Sequence, residues 1–182
     1  MVKYIQVYFP EELIKTILKF NANQNLSTGT LTKNSDSNLI TRNSKVSWIK
    51  DQQICRSVFN EVTNQFAKLD SHIHLNDIEP IQYSEYDVGQ EYGWHKDTNP
   101  TPYSNGLIRK LSFSIFLNND YKGGEFDLEI YNPDANPRYI EIKKNPKANC
   151  IIFHSDVWHR VRPITKGVKK SLVGWILGKP FV

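Results

Sequence analysis

After Pro80 the apolar residues of this chain change their period. Before it they recur at helical spacing; after it they alternate with polar residues over short runs, as strands with one buried face do. Such runs predict strands over 81–86, 92–97, 110–117, 125–131, 138–142, 150–153, 159–161 and 172–177. Turn chemistry separates them at Asp87-Val88-Gly89, Asn118-Asn119-Asp120, Gly123-Gly124, Asn132-Pro133-Asp134, Asn145-Pro146 and Lys166-Gly167. About eight short strands at this spacing predict a double-sheet jelly roll, a double-stranded β-helix.

The residues ahead of Pro80 read differently. Pro10 opens a helix where its missing N–H costs nothing, Glu11 and Glu12 follow in the first turn, and Leu13, Ile14, Ile17 and Leu18 form a stripe. From 21 to 43 the chain is rich in Asn, Ser and Thr, with at most a short strand near 29–32. Asp51 is the expected N-cap of a second helix. Its apolar positions Ile54, Val58, Val62 and Phe66, widened by Cys55 and Phe59, suit the outer face of a sheet. The fold class expected is therefore α+β, mainly β, with N-terminal helices packed outside the jelly roll. No internal repeat or second domain is evident. The 182 residues read as one domain, with 1–79 as helical support and variable region and 80–178 as the jelly-roll core.

Composition excludes little. A net charge of +4 from scattered basic residues does not call for an anionic partner, so nucleic acid is not expected. Cys55 and Cys150 lie on apolar-patterned segments without metal-ligand spacing and read as buried free thiols of a reducing compartment. No signal-peptide core or membrane-spanning apolar run is present, so a cytoplasmic location is expected, with no membrane partner. The many Asn, Lys and Ile point to an AT-rich genome, viral or bacterial, and in the viral case to the host cytoplasm.

Chemistry concentrates in Tyr86-Asp87-Val88-Gly89-Gln90-Glu91-Tyr92-Gly93-Trp94-His95-Lys96-Asp97. On a strand His95 and Asp97 share a face while Lys96 points away, which offers a metal two neighbouring ligands. A distant histidine completes a 2-His-1-carboxylate set, which leaves three coordination positions open and suits non-haem Fe(II). His154 and His159 both qualify. His154 ends the run Ile151-Ile152-Phe153, where it caps a strand. His159 starts a strand after a tight turn, and Lys169 returns beside it across Lys166-Gly167. An inward lysine is costly unless it meets an anion, so a metal and a deeper cation together suit a dicarboxylate. His159 is the ligand favoured.

The ordered motifs resemble the Fe(II)/2-oxoglutarate-dependent oxygenases, and within them the prolyl-4-hydroxylase-like group. The resemblance is carried by Tyr86-x-x-Gly89-x-x-Tyr92-x-Trp94-His95-x-Asp97, Arg109-Lys110-Leu111-Ser112, Leu117-Asn118 and Tyr121-x-Gly123-Gly124-Glu125. Further on come Phe153-x-Ser155 and His159-Arg160-Val161-x-Pro163-Ile164-Thr165-x-Gly167-x-Lys169, running into Ser171-Leu172-Val173-Gly174-Trp175. Upstream, Arg42-Asn43-Ser44-x-Val46-x-Trp48 is also similar. It implies iron held by His95, Asp97 and His159, with Lys169 pairing the distal carboxylate of 2-oxoglutarate. Tyr86 and Ser171 match positions that contact this co-substrate; Tyr92, Arg109 and Trp175 match positions on the substrate side. O₂ is then the oxidant and ascorbate a reductant. Two positions depart from common patterns: the cation is Lys where many bacterial relatives carry Arg, and Phe116 replaces a tyrosine that supports the distal carboxylate.

The function expected is hydroxylation of a proline in a protein or peptide, with succinate and CO₂ as co-products. The same chemistry on a free amino acid or nucleobase is the alternative, and a non-catalytic jelly-roll binding module is the alternative from another class. A zinc hydrolase is disfavoured by Lys169, and a halogenase by the presence of Asp97. Residues 98–108, with Pro100 and Pro102 before Ser104-Asn105-Gly106, are expected to form a lid. His72 and His74 read as surface residues, Trp48 and Trp158 as core or turn-packing residues, and Gly123-Gly124 as a hairpin turn.

Overall fold

A computed structural model describes residues 4–29, 43–68, 70, 72–98, 101–129, 138–143, 145 and 147–180. In chain order the elements are β1 (Tyr4–Val7), α1 (Glu11–Asn21), β2 (Ser27–Thr28), β3 (Lys45–Ile49), α2 (Gln52–Ala67), β4 (Asp77–Ile78), β5 (Ile81–Tyr86) and β6 (Tyr92–His95). They continue with β7 (Ile108–Phe116), β8 (Lys122–Gly123), β9 (Phe126–Glu129), β10 (Tyr139–Ile142), β11 (Cys150–His154), β12 (His159–Val161), β13 (Ile164–Lys166) and β14 (Lys169–Gly178).

The strands form two facing sheets, the jelly roll expected. The larger runs β1-β11-β7-β14-β5-β3-β2, with β4 added along β14; the smaller runs β10-β9-β12-β6. A short β13-β8 pair closes one end. All pairings are antiparallel, so each strand presents alternate residues to its two faces. On β11, Cys150 and Ile152 join the core beneath the helices, whereas Ile151 and Phe153 join a second cluster between the sheets.

The helices cover the outer face of the large sheet. The Asp51 carboxylate accepts from the Ile54 N–H at 2.9 Å, and Ile54, Cys55, Val58, Val62 and Phe66 are buried on one side of α2. Phe66 is fully buried, and each such side chain stabilises the fold by about 1.5–3 kcal/mol. Both cysteines are buried and free.

Several local expectations need correction. The strand expected over 92–97 stops at His95, because Asp97 and Thr98 turn away and donate their N–H groups to Ser155 O, both at 3.0 Å. Strands β1 and β3 lie in the region expected to carry only helices and polar chain, and β2 sits at Ser27–Thr28 rather than 29–32. Residues 30–32, like 130–131 at the end of the strand expected there, lie outside the described residues. Trp48 and Trp158 are not core residues: they are 38% and 40% exposed. Trp48 tilts against Trp175 from outside, with ring centroids 6.2 Å apart, while Trp158 lies under the Lys96 ammonium.

Candidate active site

The site lies between the sheets, where β6 and β12 pair. His159 and His95 stand opposite one another in that register, and Val161 stands opposite Tyr92. The three-residue step on β6 against the two-residue step on β12 is a bulge. It turns Tyr92 and His95 to the same inner face, so the Tyr92 ring stacks on His95 at 3.6 Å between centroids. Trp94, between them, goes to the other side.

Both imidazoles are oriented by the backbone. Nδ1 of His95 lies 2.8 Å from Gly93 O, and Nδ1 of His159 lies 3.0 Å from Val157 O. With each Nδ1 held by a carbonyl, each ring turns its Nε2 inward, where it can carry a proton beside Asp97 or take a metal in the proton's place. The two Nε2 atoms lie 3.7 and 3.3 Å from the two Asp97 oxygens, and ligand atoms of all three residues fall within 4.8 Å of one another. Burial works against the charge on Asp97. The rings of His159 and His95, with Arg109 beyond them, outweigh it and hold the carboxyl well below the usual range. Two imidazoles and one ionised carboxylate on one side of a space, with no fourth ligand among the described residues, fit a non-haem Fe(II) ion.

These three residues line a tight pocket of about 40 Å³ whose wall also includes Tyr86, Tyr92, Lys169, Ser171 and Trp175. Lys169 is 1% exposed, and its ammonium donates to Gly124 O at 2.7 Å between the rings of Phe116 and Tyr121. Gly124 has φ +66°, and a Cβ there would collide with Ile164 and crowd Lys169 and Tyr121; the seat for the cation therefore needs glycine. Beyond the wall formed by Lys169 and Phe126 opens a larger cavity of about 770 Å³ that contains none of the triad. His154 points the other way, its ring edge-on to Phe66 under α2. His72 and His74 are exposed on the link to β4.

Arg109 flanks the pocket. Its guanidinium lies 3.8 Å from the centroid of Trp175, reaches Asp97 O at 3.4 Å, and is gripped by both oxygens of Glu79 at 2.7 and 2.6 Å. Tyr103 Oη donates to the same Glu79 carboxylate at 2.9 Å. Glu79 was not anticipated from the sequence: it sits in an unpatterned link, and the pairing across 30 positions exists only in the folded chain.

Residues 81–177, more than half the chain, match the 2OG-Fe(II) oxygenase superfamily. The chain belongs to that family. Relatives include PKHD-type hydroxylases of Synechococcus sp. (strain CC9902), 34% identical over 110 residues, and of Gloeothece citriformis, 37% identical over 101 residues. These matches cover 59% and 54% of this chain and 46% and 43% of the relatives, so the chain spans about half the length of the curated relatives it matches. Among solved structures, a Pseudomonas putida prolyl-4-hydroxylase is 20% identical with a TM-score of 0.63, over 95% of this chain and 90% of that one. A viral collagen prolyl hydroxylase from Paramecium Bursaria Chlorella virus-1, in a 2OG complex, is 17% identical with a TM-score of 0.62, over 97% and 95%. A superfamily oxidoreductase from Burkholderia pseudomallei reaches 0.68 at 16% identity, over 95% and 83%. At these identities the structures show the shared oxygenase fold.

Proposed function

We propose that this protein is an Fe(II)- and 2-oxoglutarate-dependent dioxygenase of prolyl 4-hydroxylase type, acting on proline in a protein or peptide and releasing succinate and CO₂. The observation that carries the reading is that His95, Asp97 and His159 share one buried pocket with the ammonium of Lys169. In this reading His95, Asp97 and His159 hold the metal and Lys169 receives the distal carboxylate of the co-substrate. Tyr86 and Ser171 border the co-substrate, while Tyr92, Arg109 and Trp175 face the substrate.

Bound iron, with 2-oxoglutarate and O₂, supplies the power to convert an unactivated C–H into C–OH, and ascorbate serves as the reductant that keeps the iron ferrous. The chain's own residues supply geometry. Gly93 O and Val157 O fix the rotation of the two imidazoles, so both ligand nitrogens are aimed before a metal arrives. Tyr92 stacked on His95, and Phe126 and Phe153 against His159, exclude water around the ligands. Lys169, held by Gly124 O, gives a dicarboxylate one direction in which to lie. The Trp175 ring gives a prolyl ring an apolar wall, and Arg109, clamped by Glu79, offers donors to a peptide carbonyl. The prolyl substrate draws support from fold neighbours named prolyl hydroxylases, one of them from Trichoplax adhaerens solved with a peptide fragment, and from the PKHD-type relatives.

The test is succinate release with Fe(II), 2-oxoglutarate and proline-containing peptides, with mass spectrometry for one added oxygen. Oxygen entering only a free amino acid or a nucleobase would overturn the prolyl substrate. No succinate under any condition would overturn the oxygenase activity.

A further inference from the structure

The strands that aim the histidines inward carry a second surface on their outer side. Arg160 lies between inward His159 and Val161, so it faces out, and its guanidinium sits 4.8 Å from the Trp94 ring and 5.1 Å from the Tyr139 ring. Trp94 and Tyr139 meet nearly edge to face, with centroids 5.6 Å apart and planes at 62°. Next to them Trp158 is 40% exposed, with the Lys96 ammonium 5.4 Å from its ring centre. Trp94, Tyr139 and Trp158, with Glu129 and Arg138, line a groove of about 400 Å³ that touches none of the pocket residues.

The groove is rigidly built. Asp127 is fully buried beneath it and accepts from Arg160 at 2.7 Å and from both nitrogens of the Arg162 fork at 2.8 and 2.9 Å. Arg162 also lies 3.5 Å from Glu141. Arg160 and Arg162 hold the rings and the carboxylate, and Lys96 and Arg138 add positive charge beside Glu129 along the groove's described rim. We propose that this face is a docking site for a proline-rich, acidic segment of the protein substrate, at a distance from the prolyl residue being hydroxylated. The proposal rests on the prolyl reading of the pocket.

Three physical reasons select that occupant. Proline rings pack in the angle between fixed aromatic planes, and an extended polyproline helix has already lost the conformational freedom that docking would otherwise cost. Such a helix has a solvated backbone and docks through its rings, so it uses the aromatic face of Trp94, Tyr139 and Trp158 rather than the sheet edges at β6 and β10. The basic rim favours acidic residues flanking the prolines. A phosphate backbone, by contrast, needs a continuous track of cations, and here Arg160 and Arg162 are held by buried Asp127 while Glu129 and Glu141 stand among the basic residues. Because the groove backs directly onto the ligand strands, a long substrate can hold one segment on the outside while presenting another proline to the pocket. That raises the local concentration of reactive prolines without altering the chemistry.

Binding of a synthetic peptide of repeated Glu-Pro-Pro units to the full chain, followed by calorimetry, tests this without turnover. Trp158→Ala and Arg138→Glu should each weaken it about tenfold, the size expected for a central aromatic anchor or a reversed rim charge. Trp158→Phe should keep most of the affinity, and Co(II) binding should be unchanged in all three, which shows that His159 is undisturbed. In turnover, the same substitutions should raise KM for long peptides and spare short ones. Equal peptide affinity across the variants would overturn the docking site, as would oligo(dT) binding the face in preference to the peptide. If the peptide binds in this pattern but gains no oxygen, the prolyl activity fails and the docking site stands. If it gains oxygen with the same KM in every variant, the reverse holds.

Discussion

His95 and His159 face each other across the β6–β12 pair with ring centroids 4.0 Å apart, and each is turned by the carbonyl two residues before it. The arrangement commits both rings to a third partner, Asp97. His95→Ala, Asp97→Ala and His159→Ala should each abolish stoichiometric Co(II) or Fe(II) binding and reduce turnover to background while circular dichroism stays native. His154→Ala should leave metal affinity unchanged and lower Tm, because its buried ring packs edge-on to Phe66, away from the triad. Calorimetric metal titration of the four variants checks this, and loss of metal in His154→Ala alone would reassign the ligand.

Lys169→Ala should weaken 2-oxoglutarate about ten- to a hundredfold while metal affinity holds, as expected for a charge-assisted hydrogen bond of roughly 1.5–3 kcal/mol. Lys169→Arg should recover part of this. Gly124→Ala should act in the same direction from a distance, since its Cβ crowds Lys169 and Tyr121. Metal-dependent quenching of the protein's fluorescence by the co-substrate reads all three.

Glu79 ties Arg109 and Tyr103 to one carboxylate. Glu79→Ala leaves a largely buried guanidinium without its partner and should cost about 2 kcal/mol of stability. It should also raise the peptide KM more than it lowers uncoupled 2-oxoglutarate turnover, and speed amide exchange at 103–107, where Tyr103 and Leu107 are joined by a backbone hydrogen bond. Unaltered exchange there would separate Glu79 from the lid expected over 98–108.

Gly174 has no room for a side chain, because a Cβ would enter the Phe113 ring. Gly174→Ala should lower stability by about 1–3 kcal/mol through overpacking, and Gly174→Ala with Phe113→Leu should restore part of it. Denaturant unfolding gives the comparison.

Stability should fall as pH rises into the alkaline range. Burial pushes the Cys150 thiol up, with Glu61 adding to it; burial and Glu85 raise Tyr83, and burial and Glu125 push Tyr121 up to about 12. The folded chain keeps these protons after the unfolded chain has lost them, so the contribution is whole below the unfolded values and declines above them. Those values are about 8.5 for a thiol and about 10 for a phenol. Cys150→Val should flatten the first part of the decline. Alkylation of Cys150 should require unfolding.

The strands were legible wherever apolar and polar residues alternate, as along 81–86, which forms with the expected bounds even though Gln82 and Ser84 on its polar side are buried too. The second helix was legible for the same reason plus its Asp51 cap. Strand β3 was not, because it sits next to a polar stretch and reads as five residues without context. The ligand pair was inferred from alternation along one strand. The folded chain brings His95 and Asp97 together differently, by ending the strand and tying Asp97 to Ser155 O. Glu79 had no local signature at all. Of the two readings for Trp158, core or turn-packing, its exposure removes the first and its place directly after the 155–157 turn fits the second.

The wall made by Lys169 and Phe126 has a practical side. Inhibitors of metal-dependent oxygenases that work by chelation must compete for an ion common to many enzymes. Here a compound lodged in the larger cavity could reach the ammonium from behind, past Phe126, without touching either histidine. Its selectivity would then be set by Tyr121, Asn118 and Asn149 around that cavity, residues that lie outside the metal chemistry altogether.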